Sequence, residues 1–260
     1  MKIAILCGGR GTRLREVSET LPKPMVPIGG KPMLWHIMKI YASYGYNDFV
    51  LLLGYKGDII RDYFLSYYAH QVPVTVDLST YGEERLTFHG DQVEDWRVTL
   101  VDTGDATMTG GRIRRARDFL GDNAFGLTYG DGVGDVDIPS LIKFHHSHGR
   151  TATLTGVYPP GRFGELSVED GLVQSFNEKP QVSGGYINGG FFVLNPNFID
   201  DYLDDREDLV LEVEPMNKLA SNNDLMMFPH KGFWQPMDTP REHTLLNELW
   251  ASGKAPWKIW

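Results

Sequence analysis

A chain of 260 residues, 42% hydrophobic and 23% charged, has the composition of an ordinary globular protein and is long enough for one large α/β domain. Its 25 lysines and arginines against 34 aspartates and glutamates give a net charge of −9, which argues against binding to a long nucleic acid. The chain has no run long enough to span a bilayer, the apolar stretch after Lys2 is too short for a signal peptide, and the single cysteine, Cys7, cannot form an intrachain disulfide. These features predict a cytoplasmic protein.

The first predicted element is a buried parallel strand that feeds a glycine-rich loop. Residues 3–7 are continuously apolar, and Gly8-Gly9-Arg10-Gly11-Thr12-Arg13 follows at once. Residues 1–31 hold six lysines and arginines against two glutamates, although the chain as a whole is acidic. Glycine N–H groups, the Thr12 hydroxyl and the Arg13 guanidinium suit phosphate oxygens, and Lys23 adds a point charge. The segment predicts a phosphate site, and an ordinary loop with solvated charges stays open as the alternative.

Two familiar phosphate motifs do not fit this segment. A dinucleotide fingerprint needs a third glycine where Leu14 stands. A P-loop ending at Gly30-Lys31 needs glycine in place of Met25 and serine or threonine in place of Pro32. The sequence therefore favours neither a nicotinamide oxidoreductase nor a P-loop nucleotidase.

The next elements predict parallel strands joined by helices. Apolar residues recur at helical spacing over 32–44 and 57–69, and residues 49–53 form a second buried strand. Residues 72–102 break this alternation and predict an excursion from the main sheet, with an antiparallel ribbon as one form of it. Its aromatic residues Phe88 and Trp96 are expected to pack as loop residues against the parent domain, and an oligomer contact is the alternative.

The middle of the chain places two candidate groups at the ends of strands. A strand at 97–102 leads into the glycine-rich loop 103–112, which opens a helix with a basic cluster whose first member is Arg112. The apolar strand 124–129 ends at Gly130-Asp131-Gly132, where open α/β sheets place their ligands. A plain turn aspartate is the alternative for Asp131.

The second half predicts shorter elements. Strands are expected at 151–157, 165–168, 172–178, 186–194 and 225–228, and helices at 138–148, 196–203, 212–222 and from about 240. Thr239, Pro240 and Glu242 form a helix start of the capping-box type. Because the sequence shows no linker, residues 1–132 and 133–260 are expected to share one continuous sheet within a single domain.

Five charged residues at the ends of predicted elements form a candidate site. They are Arg13, Lys23, Asp131, Lys179 and Asp238. Two carboxylates can hold Mg²⁺ together with phosphate oxygens, and three cations can neutralise charge that develops on phosphate. A phosphate oxygen is itself a nucleophile, so this chemistry needs no catalytic triad. Taken singly, each of the five also has an ordinary structural interpretation.

The chain resembles the sugar-phosphate nucleotidyltransferases. The signature G-G-x-G-T-R-L with P-K-P is present at Gly8–Leu14 and Pro22–Pro24, and Tyr129–Gly132, Glu178–Pro180, Asn188–Gly190 and Asp238 follow in family order. The resemblance implies an α/β fold with a Rossmann-like, mostly parallel mixed sheet flanked by helices, the nucleotide-diphospho-sugar transferase fold. It also implies a homo-oligomer.

The resemblance implies four groups of site residues. The catalytic group is Arg13, Lys23 and Lys179, and the Mg²⁺ ligands are Asp131 and Asp238. The hexose phosphate would be bound by Gly164, Glu178, Lys179 and Asn188. The nucleotide would be bound by Leu6, Cys7, Gly8, Gly9, Arg10, Gly11, Thr12, Arg13, Lys23, Ala106, Gly111, Arg112 and Gly130.

Within this family, segments 102–112, 158–164, 232–238 and 253–257 resemble the branch that transfers a cytidylyl group. That branch implies the reaction of CTP with glucose 1-phosphate to give CDP-glucose and pyrophosphate, which supplies deoxysugars for surface polysaccharide such as lipopolysaccharide O-antigen. Ala106 stands where the branch leads us to expect a small hydroxyl residue, so backbone groups of the loop would read the base. Uridylyl or thymidylyl transfer and a noncatalytic sugar-nucleotide sensor remain the alternatives.

Overall fold

A computed structural model of the chain describes residues 1–9, 20–79, 81–82, 85–90, 94–159, 165–169, 172–177 and 185–260, with the backbone alone for 165–169 and 172–177. The strands are β1 (Lys2–Leu6), β2 (Pro27–Ile28), β3 (Lys31–Pro32), β4 (Asp48–Leu53), β5 (Val74–Val76), β6 (Leu86–Phe88), β7 (Arg97–Asp102), β8 (Phe125–Tyr129), β9 (Gly132–Gly134), β10 (Ala152–Val157), β11 (Glu165–Glu169), β12 (Leu172–Asn177), β13 (Ile187–Asn188), β14 (Phe192–Leu194), β15 (Leu225–His230) and β16 (Trp234–Pro236). The α-helices are α1 (Met33–Ala42), α2 (Gly57–Leu65), α3 (Tyr67–Gln71), α4 (Thr109–Arg115), α5 (Arg117–Leu120), α6 (Ile138–His148), α7 (Asn197–Tyr202), α8 (Glu214–Ser221) and α9 (Pro240–Ala251), and Lys23–Met25 is one 3-10 turn.

The central sheet has the order β13-β10-β14-β8-β1-β4-β7, with β15 paired to β10. The neighbours from β8 to β7 are parallel, as are β10 and β15. The pairs β14–β8, β10–β14 and β10–β13 are antiparallel. The predicted fold class, a mostly parallel mixed sheet flanked by helices, is thus confirmed, and strands from both halves of the chain lie in the same sheet.

The sheet is buried on both faces because alternate residues of its central strands feed two apolar cores. Ile3 and Ile5 pack with Phe49 under α1 and the chain end at Trp257. Ala4 and Leu6 pack on the other face, against α4 and α7. This arrangement explains why residues 3–7 read as a continuous apolar run.

One predicted boundary was wrong. The excursion expected over 72–102 is an antiparallel ribbon of β5 and β6, as the ribbon form predicted, but β7 pairs in parallel with β4 along its whole length. The last residues of that range therefore belong to the main sheet. Trp96 packs edge-on against Phe49 at a ring-centroid distance of 5.9 Å, which agrees with packing against the parent domain.

The last helix starts as its sequence predicts. The Thr239 side chain accepts from the Glu242 N–H, and the Glu242 carboxylate accepts from the Thr239 N–H at 2.9 Å, which together make a capping box. In the described part of the chain, no helix is both long enough and apolar enough to cross a membrane.

Candidate active site

The candidate site lies where β1, β4, β7 and β8 end, at the carboxyl edge of the sheet. Two adjoining cavities open there, of about 380 and 180 Å³, and Leu6, Gly9 and Thr109 line both of them. The larger one is bounded by the loop 105–109, and the smaller one by Lys23, Tyr129 and Asp131. Ligands of open α/β sheets bind at this edge.

A still larger cavity, of about 570 Å³, lies at the opposite edge of the sheet. It is lined by Met1, Lys2 and Asp48 at the amino ends of β1 and β4, among others. Of the singled-out charged residues that the structure describes, Lys23, Asp131 and Asp238, none lines it. Size alone therefore does not identify the functional site, and we assign the site by its chemistry.

The fold brings together two carboxylates that are 107 positions apart in the printed sequence, numbered 131 and 238. Strands β9 and β16 pair with Gly132 opposite Pro236, and the Met237 N–H donates to the Asp131 carbonyl at 2.8 Å. This ladder places Asp131 and Asp238 side by side. The Asp238 N–H donates to the Glu242 carboxylate at 2.7 Å, so the capping box of α9 also fixes the position of Asp238.

Lys23 lies between these two carboxylates. Its ammonium Nζ is 2.6 Å from Asp131 Oδ2 and also bonds Asp238 Oδ1. Burial lowers the pKa of Lys23, but the charges and hydrogen bonds of the two aspartates outweigh that effect and hold its pKa above the usual range. Lys23 is therefore a buried, permanently charged group at the wall of the smaller cavity.

The two aspartates fit a divalent cation. Their side chains keep 36% and 27% of their surface exposed, Asp131 lines the smaller cavity, and both carboxylates already converge on one positive charge. The described residues hold no group of three or more histidine, cysteine, aspartate or glutamate side chains that could bind a metal ion. Two carboxylates completed by phosphate oxygens and water are a usual coordination of Mg²⁺.

Arg112 joins the ends of three strands at the wall of the larger cavity. Its Nη1 lies 2.9 Å from the Leu53 carbonyl and 2.7 Å from the Gly104 carbonyl, and its Nη2 lies 3.0 Å from the Gly8 carbonyl. The side chain also donates to Thr103 Oγ1 and to the Asp105 carbonyl. Burial lowers its pKa, although a guanidinium stays charged in proteins. We call this arrangement the Arg112 clamp.

Two glycines make room for the Arg112 clamp. A Cβ at Gly8 would lie 2.1 Å from the Arg112 Cζ, and one at Gly54 would lie 2.1 Å from Nη1. Gly130 allows a different contact, the close packing of its backbone against β1: a Cβ at this position would lie 2.7 Å from the Leu6 carbonyl oxygen. Glycine at these positions follows from packing at the strand ends.

The other sequence-predicted nucleotide residues surround the same space. Leu6 and Gly9 line both cavities, and Ala106 lines the larger one. Gly111 is buried in the first turn of α4, where a Cβ would meet the Arg206 carbonyl. Cys7 is wholly buried, and burial raises the pKa of its thiol, so the thiol stays neutral and is no nucleophile.

On the hexose side, Asn188 lies in β13 at the turn that leads into β14. The Trp234 indole donates to the Gly189 carbonyl at 2.8 Å, which ties this turn to β16 and hence to the strand that precedes Asp238. The remaining predicted hexose and phosphate residues, Gly164, Glu178 and Lys179, lie outside the described residues, as do Arg10, Gly11, Thr12 and Arg13.

Sequence reasoning missed three residues that structure the site, Thr109, Tyr129 and Glu212. The Tyr129 hydroxyl donates to Glu212 Oε1 at 2.6 Å, and Thr109 Oγ1 donates to Glu212 Oε2 at 2.7 Å. Tyr129 precedes Gly130-Asp131, so its place in the motif was a usable signal. Glu212 carries no local signal, because it reaches the site from the segment between α7 and α8.

Comparison with known proteins agrees with this site. Residues 2–241 match the family model described as nucleotidyl transferase. The chain is 54% identical to the glucose-1-phosphate cytidylyltransferase of Salmonella typhi, with 100% of each chain covered. Solved structures with the same fold include HddC from Yersinia pseudotuberculosis, at TM-score 0.68 and 25% identity with 96% of this chain and 99% of that chain covered. A UDP-glucose pyrophosphorylase from Acinetobacter baumanii, at TM-score 0.67 and 17% identity with 95% and 91% covered, shares the fold alone. The family match over nearly the whole length, together with the converging Lys23, Asp131 and Asp238, shows that the chain belongs to the nucleotidyl transferase family.

Proposed function

We propose that this protein is a glucose-1-phosphate cytidylyltransferase, which converts CTP and glucose 1-phosphate to CDP-glucose and pyrophosphate. The observation that carries the proposal is the meeting of Lys23, Asp131 and Asp238 at the carboxyl edge of the sheet. The full-length identity of 54% to the enzyme of Salmonella typhi supports the choice of base and sugar.

The reaction is a single displacement at the α-phosphorus of CTP. A phosphate oxygen of glucose 1-phosphate forms the new P–O bond, the bond between the α-phosphorus and the bridging oxygen breaks, and pyrophosphate leaves with that oxygen. The protein has to hold both substrates in line and to balance negative charge, so positioning and electrostatics carry the catalysis.

Lys23 is the described cation best placed for this task. In the free chain its ammonium neutralises Asp131 and Asp238. Once another cation balances both carboxylates, Lys23 would exchange these ion pairs for oxygens of the triphosphate. Arg13 and Lys179 are proposed, on family resemblance, to neutralise the triphosphate and the sugar phosphate.

The nucleotidyl transferase family generally uses a divalent metal ion. We propose that Asp131 and Asp238 hold Mg²⁺ here, since Asp131 lines the smaller cavity and both carboxylates already converge on the Lys23 ammonium. A bound Mg²⁺ would supply charge neutralisation and orientation of the phosphate oxygens.

We further propose that residues 1–132 mainly bind the nucleotide and residues 133–260 mainly bind the sugar phosphate. The base would face the larger cavity, where loop 105–109 and Ala106 form one wall. Because Ala106 has no hydroxyl, backbone groups of that loop would read the cytosine. A homo-oligomer and a cytoplasmic location are part of the same proposal.

The test is pyrophosphate release by the purified protein with glucose 1-phosphate, Mg²⁺ and each of CTP, UTP, dTTP and ATP in parallel. The proposal predicts a clear preference for CTP. A preference for UTP or dTTP would keep the displacement and overturn the choice of base. No release with any nucleotide would support the noncatalytic sensor instead.

A further inference from the structure

The amide of Asn188 has a fixed orientation in the free protein. The Gly190 N–H donates to one amide atom of Asn188 at 3.0 Å, and because a backbone N–H can only donate, that atom must be the oxygen Oδ1. The nitrogen Nδ2 then faces the Tyr129 hydroxyl, 3.1 Å away. Gly190 has φ +76°, and a Cβ there would lie 3.0 Å from the Tyr129 ring, so this turn favours glycine.

The Tyr129 hydroxyl therefore accepts a hydrogen bond from the Asn188 Nδ2 and donates one to the Glu212 carboxylate. The oxygen-to-oxygen distance to Glu212 Oε1 is 2.6 Å, as expected for a hydroxyl donating to a charged acceptor. The ring itself is held by edge-on packing against Phe192, with centroids 5.9 Å apart. Removal of the hydroxyl alone would leave that packing in place.

The other oxygen of Glu212 accepts from the Thr109 hydroxyl, whose direction is set by a second backbone donor. The Leu211 N–H donates to Thr109 Oγ1 at 2.9 Å. Because that oxygen accepts from the backbone, the Thr109 hydroxyl hydrogen is directed at Glu212 Oε2, 2.7 Å away. Thr109 is the first residue of α4 and lines both cavities. Both carboxylate oxygens thus accept, and Glu212 joins the nucleotide wall to the hexose side. We call this series of hydrogen bonds, from Asn188 through Tyr129 and Glu212 to Thr109, the Glu212 bridge.

We propose that Glu212 is a positioning residue that acts through Tyr129 to hold the Asn188 amide as a hydrogen-bond donor toward a hydroxyl oxygen of the hexose. The inference rests on the proposed function. It follows from the direction of the bridge, because one Nδ2 hydrogen is used by Tyr129 and the second has no partner among the described residues. The second Nδ2 hydrogen is therefore available as a donor, and the Gly190 N–H holds the amide oxygen on the opposite side.

The bridge could instead only tie the segment before α8 to the sheet. That structural role would lower stability without distinguishing the two substrates. A positioning role has a separate signature, because loss of the Tyr129 hydroxyl removes the partner of the Asn188 Nδ2 and leaves the Thr109–Glu212 hydrogen bond on the nucleotide side in place. The Michaelis constants for the two substrates therefore separate the two roles.

The experiment compares the wild-type enzyme with Tyr129→Phe, Glu212→Ala and the double variant. The KM for glucose 1-phosphate and the KM for CTP are measured for each, together with thermal unfolding. Glu214→Ala is the matched control, since this exposed glutamate, two positions further along at the first residue of α8, pairs with Arg206 and lies outside the bridge. The enzymes are also assayed with 2-, 3-, 4- and 6-deoxyglucose 1-phosphate.

For Tyr129→Phe we expect KM for glucose 1-phosphate to rise about 3- to 10-fold, the range for one lost neutral hydrogen bond, with KM for CTP within about twofold of wild type. Glu212→Ala should raise the KM for glucose 1-phosphate at least as much. The double variant should raise it no further than Glu212→Ala alone, because both changes break the same bridge. For the wild type, the analogue that lacks the hydroxyl bound by Asn188 should have a higher KM than glucose 1-phosphate. In Tyr129→Phe the two KM values should be equal.

Three results would overturn the inference while the proposed function stands. They are an unchanged KM for glucose 1-phosphate in both single variants of an active enzyme, equal rises for both substrates with a loss of stability, and additive effects in the double variant. A wild-type protein that makes no sugar nucleotide from any sugar phosphate would overturn the proposed function, and this inference with it.

Discussion

Replacement of Arg112 by lysine tests whether this residue shapes the site or binds the ligand. The guanidinium reaches Gly8 with one nitrogen and Leu53 and Gly104 with the other. A lysine ammonium is a single point with three donors, so it cannot serve both sides, and the acceptors of one nitrogen are left without that partner.

The magnitude follows from the number of bonds lost. Nη2 donates to the Gly8 and Asp105 carbonyls, but the Gly8 carbonyl keeps the Tyr55 N–H as a second donor and Asp105 is exposed. The loss is therefore that of two net hydrogen bonds, and Arg112→Lys should lower the free energy of unfolding by about 1–3 kcal/mol. That is a large share of the roughly 5–15 kcal/mol that stabilises a typical domain. At about 2–4 °C per kcal/mol for a chain of this size, the melting temperature should fall on the order of 5 °C.

The assay is thermal unfolding followed by circular dichroism, with steady-state kinetics on the same preparations. Arg114→Lys is the matched control, because this arginine of the same helix pairs with Asp200 at 2.8 Å with both side chains partly exposed, and such a pair contributes at most about 1 kcal/mol. An Arg112→Lys protein with wild-type melting temperature and a raised KM for CTP alone would refute the clamp and assign the guanidinium to the nucleotide.

Three further perturbations have defined outcomes. Gly54→Ala should lower the melting temperature and raise the KM for CTP together, because the added Cβ would lie 2.1 Å from the Arg112 guanidinium. An unchanged melting temperature and KM would mean that the loop moves to accommodate the Cβ. Asp131→Asn should keep the fold but lower Mg²⁺-dependent turnover by at least about 100-fold, and a wild-type rate would contradict its role. Burial lowers the pKa of His36 from 6.5 to about 4, so its contribution to stability is complete above pH 6.5 and is lost as the pH falls toward 4, by about 3 kcal/mol. His36→Gln should flatten that part of the stability profile measured by denaturant unfolding, and an unchanged profile would exclude His36 as its source.

The elements that local sequence fixes were predictable. The apolar run of β1 and the capping box of α9 depend on neighbouring residues, and both are present in the structure. The turns and strand ends that carry Lys23, Asp131 and Asp238 could be located, because glycine, proline and capping signals mark them. That the three side chains meet was an expectation from resemblance, since it depends on the pairing of β9 with β16.

The residues that sequence reasoning missed or placed incompletely depend on distant partners. Arg112 was expected to contact the nucleotide, yet its five acceptors come from the ends of β1 and β4 and from the loop after β7, which no local pattern reveals. Glu212 lies between two helices and contacts Tyr129 across 83 positions. The predicted excursion was too long at its carboxyl end, since it included the six residues of β7. A strand of this length has the same local sequence pattern in an excursion and in the main sheet.

The most direct test of the proposed activity follows the oxygen atoms of the reaction. The protein is incubated with CTP, Mg²⁺ and glucose 1-phosphate that carries ¹⁸O at its three non-ester phosphate oxygens, and the products are weighed by mass spectrometry. The displacement proposed here predicts CDP-glucose that keeps all three labels and pyrophosphate that carries none. Label in the pyrophosphate, or no CDP-glucose at all, would contradict the account.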